Sequence, residues 1–286
     1  MTVYPYAKIN IGLSVTSERS DGFHDIETVF YPIPLFDILK IDFSEVGATE
    51  KLEITCDGIA LPDNELKENL CCKAYHLLDA DYHLPPVNIH LRKVIPVGAG
   101  LGGGSSDAAY TLKTLNNLFQ LHIPDEELAR YASRLGSDCA FFLQHTPAFG
   151  TGKGDILEPI ALSLDEYHIV LVKPPVFVST AEAYASVIPK KTPYHLPELL
   201  QTPVSEWRHT IFNDFEESVF QKFPEIGRIK EKLYREGAVY ASMSGSGSCV
   251  YGIFRESPGD VGKLFPRCFV WNSEEFDRLS RIKQNQ

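Results

Sequence analysis

The chain has 286 residues, 44% of them hydrophobic, and a formal net charge of −11. That length holds a sizeable core in one large or two modest domains, and no run of about 18 apolar residues is present to span a bilayer. The net negative field opposes phosphate backbones, so neither nucleic acid nor a membrane is an expected partner, while a few local donors could still hold a small anionic molecule.

The opening residues, Met1 to Lys8, lack the basic and apolar regions of a secretion signal, which gives the expectation of a cytoplasmic protein. Strand patterns occupy residues 7–15, 26–33 and 38–43, and residues 52–56 read as a further strand closed by the turn signal Asp57-Gly58. Residues 69–78 carry helical spacing (Leu70, Ala74, Leu77, Leu78), and 87–94 alternate again. Residues 105–119 place Ala108, Leu112 and Leu115 on one helical face. A second helix runs from Asp125, read as its N-cap, to about Leu135, where Gly136 stops it.

The run Gly150-Thr151-Gly152-Lys153-Gly154-Asp155 reads as a boundary between an N-terminal domain (1–155) and a C-terminal one (156–286). Beyond it the pattern gives a buried strand at 168–172 and a Pro/Thr/Lys-rich loop at 189–205 with a short helix near 197–201. A helix at 225–236 is closed by Gly237, and strands at 239–243 and 249–254 flank Ser244-Gly245-Ser246-Gly247. The fold class is α+β. The six cysteines show no C-x-x-C pair and no zinc spacing, and they read as free thiols.

Residues 96–109 read Pro-Val-Gly-Ala-Gly-Leu-Gly-Gly-Gly-Ser-Ser-Asp-Ala-Ala. Each glycine weakens regular structure by about 0.5–1 kcal/mol, so the five between 98 and 104 need another purpose. A helix follows at once, and its open N–H groups and positive dipole end make the segment an anion cradle. Ser105 and Ser106 add hydroxyls for phosphate oxygens or for Mg²⁺. Gly98-x-Gly100-x-x-Gly103 matches the dinucleotide fingerprint literally, but a second helix follows instead of the strand that would complete βαβ. A P-loop would need a lysine where Gly104-Ser105-Ser106 has none. The cradle therefore belongs to some other nucleotide fold.

Pro96-x-x-x-Gly100-Leu101-Gly102-Gly103-Gly104-Ser105-Ser106 resembles the second motif of the GHMP kinases. Pro5-Tyr6-Ala7-Lys8-Ile9-Asn10-Ile11-Gly12-Leu13 resembles their first motif, and Met243-Ser244-Gly245-Ser246-Gly247-Ser248-Cys249 their third. The resemblance spans nearly the whole chain. It implies a two-lobed α+β fold with the active site in the cleft between the lobes, and transfer of a phosphoryl group from ATP, with Mg²⁺, to a small alcohol. It places the ATP phosphates on Pro96, Gly98, Gly100, Leu101, Gly102, Gly103, Gly104, Ser105 and Ser106, with Ser244, Gly245, Ser246 and Gly247 as a second wall. Ser106 is the candidate Mg²⁺ ligand. Asn69 and Lys93 resemble positions near the adenosine, although a solvated strand-end lysine reads Lys93 equally well. Asp107 receives no role beyond starting the helix.

Arg19-Ser20-Asp21-Gly22-Phe23-His24 resembles the branch of that family whose substrate is a methylerythritol linked to cytidine diphosphate. An aromatic ring at Phe23 offers a base a stacking face worth about 1–3 kcal/mol, and His24 can bond the base edge. Thr180 and Tyr184 resemble the segment that closes the other side of the cytosine, and Asn10 lies in the first motif on the substrate side. The resemblance makes Asp138, in Leu135-Gly136-Ser137-Asp138, the base and Lys8 its charge-stabilising partner. Such a pair fits phosphoryl transfer, which needs a positioned hydroxyl and a cation beside the developing charge. Two other readings stand beside this one. A homoserine or mevalonate kinase-like enzyme is disfavoured by Phe23-His24, and a nucleotide-binding protein without turnover would need neither Lys8 nor Asp138.

Overall fold

A computed structural model describes residues 1–45, 50–60 and 68–274. The chain separates into two compact units, each assembled from distant segments.

The first unit comprises residues 1–8, 35–97 and 102–145. Its sheet has the order β1 (Thr2–Val3), β4 (Ile38–Phe43), β6 (Val87–Lys93), β5 (Leu52–Gly58), with β5 and β6 parallel and the other pairs antiparallel. Alternation decides its faces. Leu39, Ile41, Val87, Ile89 and Leu91 are buried, whereas Lys40, His90 and Arg92 point to solvent, so helices cover only the apolar side. Those helices are α1 (Leu70–Tyr82), α2 (Gly103–Leu118) and α3 (Asp125–Leu135), which pack on one another, and α2 also packs on β4. Ala108, Ala109, Leu112 and Leu115 form the apolar stripe of α2.

The second unit comprises residues 9–34, 98–101 and the chain from 146 onward. One of its sheets has the order β2 (Tyr6–Glu18), β3 (His24–Phe36), β7 (Ala148–Thr151), β8 (Ile156–Pro159), and the first residues of β2 lie in the other unit. The second sheet has the order β10 (Tyr240–Met243), β11 (Val250–Phe254), β9 (His168–Lys173), β12 (Phe269–Asn272), all pairs antiparallel. Val170, Val172, Met243 and Val250 of this sheet share a core with Leu13, Val15, Phe215, Ile226, Ile229 and Leu233.

This division differs from a single cut at residue 155. The glycine run at 150–155 is the turn of the β7–β8 hairpin, closed by the Gly154 N–H donating to the Thr151 carbonyl at 3.0 Å. Strands β2 and β3, early in sequence, pair into the same sheet as β7 and β8, a long-range choice that composition does not carry. Asp125 is also not an N-cap. Pro124 holds that position in extended backbone, and Asp125 with Glu126 and Glu127 supplies charge at the positive helix end instead. The patterning missed α4 (Thr180–Tyr184), the helix Glu216–Lys222 and strand β12, each too short to show a period. Among the described residues no helix is long and apolar enough to cross a membrane.

Candidate active site

In the first unit, Lys8 and Asp138 come together. Lys8 leaves β2 with its side chain 4% exposed, and its Nζ stands 3.3 Å from Oδ2 of Asp138, which is 31% exposed. Asp138 is presented by the short 3₁₀ turn Cys139–Leu143, where its carbonyl accepts the Phe141 N–H at 3.2 Å and the buried Phe141 and Phe142 fix the turn. Gly102, in the same unit, packs directly on Lys8. A side chain at Gly102 would stand 3.1 Å from Cε of Lys8 and 2.6 Å from the ring of Phe142, so only glycine lets the loop lie there. Ser105 and Ser106 follow in the first turn of α2. The Ser106 hydroxyl is buried with no hydrogen-bond partner in the structure, which leaves its oxygen open to a further contact. Burial pushes the neighbouring Cys139 thiol up to about 12, which keeps it a passive wall.

The adenosine-side candidates take structural roles. Asn69 is the N-cap of α1, its Oδ1 accepting the Cys71 N–H at 2.9 Å. Lys93 is not a solvated strand-end lysine. Its ammonium, 3% exposed, donates to Asp37 and, at 2.7 Å, to Oδ2 of Asp107. Asp37 in turn accepts the N–H groups of Val94 and Ile95 at 2.6 and 2.9 Å, so the three charges join the end of β6 to the second turn of α2. Burial alone would lower the lysine's pKa, but the two carboxylates overcome it and raise it. Asp107 is pushed up to about 7, first by burial, against the pull of Lys93, with Asp37 adding to the rise. The sequence reading missed this cluster because it requires Asp37, remote in sequence, to meet the helix start.

In the second unit, residues 98–101 and the third motif form one structure. Oγ of Ser244 accepts the Asn10 N–H at 3.1 Å and donates to the Gly100 carbonyl at 2.8 Å, so this hydroxyl ties elements of all three motifs. Ser248 and Cys249 donate their N–H groups to the Gly98 and Ala99 carbonyls at 3.4 and 3.2 Å. Asn10 is buried, with its amide donating to Thr28 at 3.0 Å and its carbonyl accepting the Tyr251 hydroxyl at 2.9 Å. Phe177, absent from the sequence reading, lays its exposed ring against Gly98. Gly100 has φ +72, and a Cβ there would stand 1.8 Å from the Ser244 carbonyl oxygen. Gly100→Ala must therefore move backbone, and a displacement of about 1 Å in such a loop can cost on the order of 10²-fold in turnover. Gly237 has φ +98 with nothing within 4 Å, so Gly237→Ala measures backbone strain alone. That control is expected to lose stability without losing activity; equal activity in both variants would contradict the role given to the loop.

The base-side candidates also lie in this unit. The turn before β3 is held by Arg19, which pairs with Asp21 and Asp25 at 3.1 and 2.8 Å, and by the Phe23 N–H donating to Asp21 at 3.1 Å. Those contacts display the Phe23 ring, 54% exposed, with Nζ of Lys153 4.8 Å from its centroid. Lys153 comes from the β7–β8 turn and was read in sequence only as part of a boundary. His24 stacks on Tyr184, with centroids 4.7 Å apart and planes at 23°, and Tyr184 is backed by Phe215 at 4.8 Å. Tyr184 thus supports the imidazole, where the sequence reading gave it a face for the base. Thr180 starts α4 and is exposed, and Ser179 with Glu182 forms the capping box of that helix.

Two family models match the chain: GHMP kinases N terminal domain over residues 69–145 and GHMP kinases C terminal over 196–265. The chain belongs to the GHMP kinase family. A 4-diphosphocytidyl-2-C-methyl-D-erythritol kinase of Bacteroides thetaiotaomicron is 53% identical over 254 residues, covering 89% of this chain and 92% of that one. The protein of the same description from Parabacteroides distasonis is 49% identical, covering 96% and 99%. A crystal structure of 4-(cytidine 5'-diphospho)-2C-methyl-D-erythritol kinase superposes with a TM-score of 0.79 at 31% identity, covering 95% of this chain and 98% of that one. A mevalonate kinase structure shares the fold, with a TM-score of 0.69 at 15% identity.

Proposed function

We propose that this GHMP kinase transfers the γ-phosphoryl group of ATP to the 2-hydroxyl of 4-diphosphocytidyl-2-C-methyl-D-erythritol, a step toward isoprenoid precursors. The observation that carries the chemistry is the Lys8–Asp138 pair, with Lys8 packed under Gly102. The substrate assignment draws on relatives at 53% and 49% identity over most of their length and on the Phe23-His24 turn.

In this reading the acceptor hydroxyl lies at Asp138, which takes its proton in or after a loose transition state. The Lys8 ammonium offsets charge on the alkoxide and the transferring phosphoryl group, and its burial strengthens that interaction. The open amides of the glycine loop and the α2 N-terminus receive the phosphates. Mg²⁺ would neutralise phosphate charge when bound. The orphaned Ser106 hydroxyl fits it as one hard oxygen ligand, and no cluster of three acidic, His or Cys side chains exists among the described residues to hold the ion without the nucleotide. Phe23 would stack on the cytosine, and His24, held in place by Tyr184, would bond the base edge.

The test is a coupled assay for ADP release with the cytidyl substrate, homoserine and mevalonate in parallel; turnover of either of the last two in preference to the first would overturn the assignment. Phe23→Ala is expected to raise KM for the cytidyl substrate by about 5- to 150-fold, the equivalent of one lost stacking face, with KM for ATP nearly unchanged. Because the ring is 54% exposed, the fold should lose little stability. An equal rise in both constants would mean that Phe23 supports the fold instead of reading the base.

A further inference from the structure

The segment Asn213-Asp214-Phe215-Glu216 leads into the short helix Glu216–Lys222 and carries no motif, yet its polar side chains all bind backbone of neighbouring elements. Oδ2 of Asp214 accepts the Val15 N–H at 2.9 Å, and Oε1 of Glu216 accepts the Met243 N–H at 2.8 Å. Asn213, 4% exposed, reaches the third motif itself. Its Nδ2 donates to the carbonyls of Met243 and Gly245, both at 2.8 Å, which flank Ser244, and its Oδ1 accepts the Phe215 N–H at 3.0 Å. Two acceptors on one side and one donor on the other fix the orientation of the amide, and no other side chain of this size supplies that pattern.

A trans peptide points its N–H opposite to its C=O. Holding the Gly245 carbonyl toward Asn213 therefore aims the Ser246 N–H away from it. Four other amides of this turn are committed, and the Gly245 N–H is not among them. Ser244 donates to Cys249 at 2.9 Å, Gly247 to Ser244 at 3.0 Å, Ser248 to Gly98 at 3.4 Å and Cys249 to Ala99 at 3.2 Å. The Ser246 N–H takes no part in these bonds, and Ser246 is only half-buried.

We propose that Asn213 is a positioning residue for the nucleotide: by fixing the Met243 and Gly245 carbonyls it directs the Ser246 N–H at an ATP phosphate. This rests on the reading of the third motif as a phosphate wall. Asn213 does not touch the ligand, so its loss acts through the orientation of one peptide.

Asn213→Asp keeps the shape and the acceptor for the Phe215 N–H but turns a donor into an anion facing two carbonyls. In the full-length chain it is expected to raise KM for ATP, and the calorimetric Kd for ADP, by about tenfold to a hundredfold near pH 8. Both should recover toward wild type near about pH 6, because a carboxyl facing carbonyls in a buried site holds its proton to higher pH and can then donate to one of them. KM for the acceptor should stay within about twofold, since removing one phosphate donor leaves the acceptor's binding intact. Asn213→Ala should show the same loss with no recovery on acidification. Unchanged ADP affinity with only a lower Tm would overturn the proposal, as would a parallel rise in both KM values, or failure of both variants to fold. If wild-type protein itself fails to bind ADP, the phosphate-wall reading falls, a result distinct from each of these.

Discussion

Asp138→Asn is expected to lower kcat by roughly 10²–10⁴, the span of general acid–base catalysis, while leaving ATP affinity nearly unchanged. The amide keeps the size of the carboxylate and can still bond Lys8, 3.3 Å away, but it cannot accept the hydroxyl proton. The side chain is 31% exposed, so its replacement should cost little stability, and a melting curve should move by only a few degrees. Lys8→Met should also lower kcat, and the double variant should lose less than the product of the two, because the pair works on one developing charge. The competing account makes Asp138 a mere anchor for Lys8. It requires kcat in the folded variant to fall by less than about tenfold, and that result would sink the base assignment.

How much of this was legible in the sequence depends on the reach of each signal. The glycine loop stood out because its signal is local: adjacent glycines, adjacent serines and the helix start lie within about ten residues. Lys8 and Asp138 were reached through motif resemblance, and the structure adds that Gly102 is the piece that seats the lysine. Strands β4 and β6 were read to within a residue because alternation survives wherever one face is wet. Long-range pairing was not legible. Nothing in residues 9–34 announces that they join the sheet of residues 148–159, and nothing near Lys93 announces Asp37. Asn213 is silent for a related reason: its function lies in two backbone carbonyls, and any residue type could have carried those. Tyr184 was read as a stacking face beside the base-side turn, and the structure sets its ring on His24. Ring-to-ring geometry depends on the cap of α4 and on the packing of Phe215, neither of which a spacing rule contains.

The Asp37–Lys93–Asp107 cluster gives the largest expected effect on stability, with opposite outcomes for two of its members. Lys93→Met leaves two carboxylates buried at 0% and 3% exposure with no cation, and is expected to cost roughly 3–5 kcal/mol. Asp107→Asn leaves one ammonium and one carboxylate, a balanced pair, and should stay within about 1 kcal/mol of wild type at neutral pH. The pH dependence separates them further. Asp107 faces Lys93 from β6, Asp37 from the residue before β4 and the Cys71 thiol of α1, and in the folded protein it holds its proton up to about pH 7. Unfolded, it releases that proton near pH 4. Between those values the folded state binds more protons, so this group's contribution to stability is full below about pH 4 and is lost as the pH rises through about 7. Asp107→Asn should flatten that part of the profile and overtake wild type above neutrality. Urea midpoints across this range measure both effects. Equal destabilisation by the two substitutions, or a slope that persists without Asp107, would show that the cluster holds its charges in some other balance.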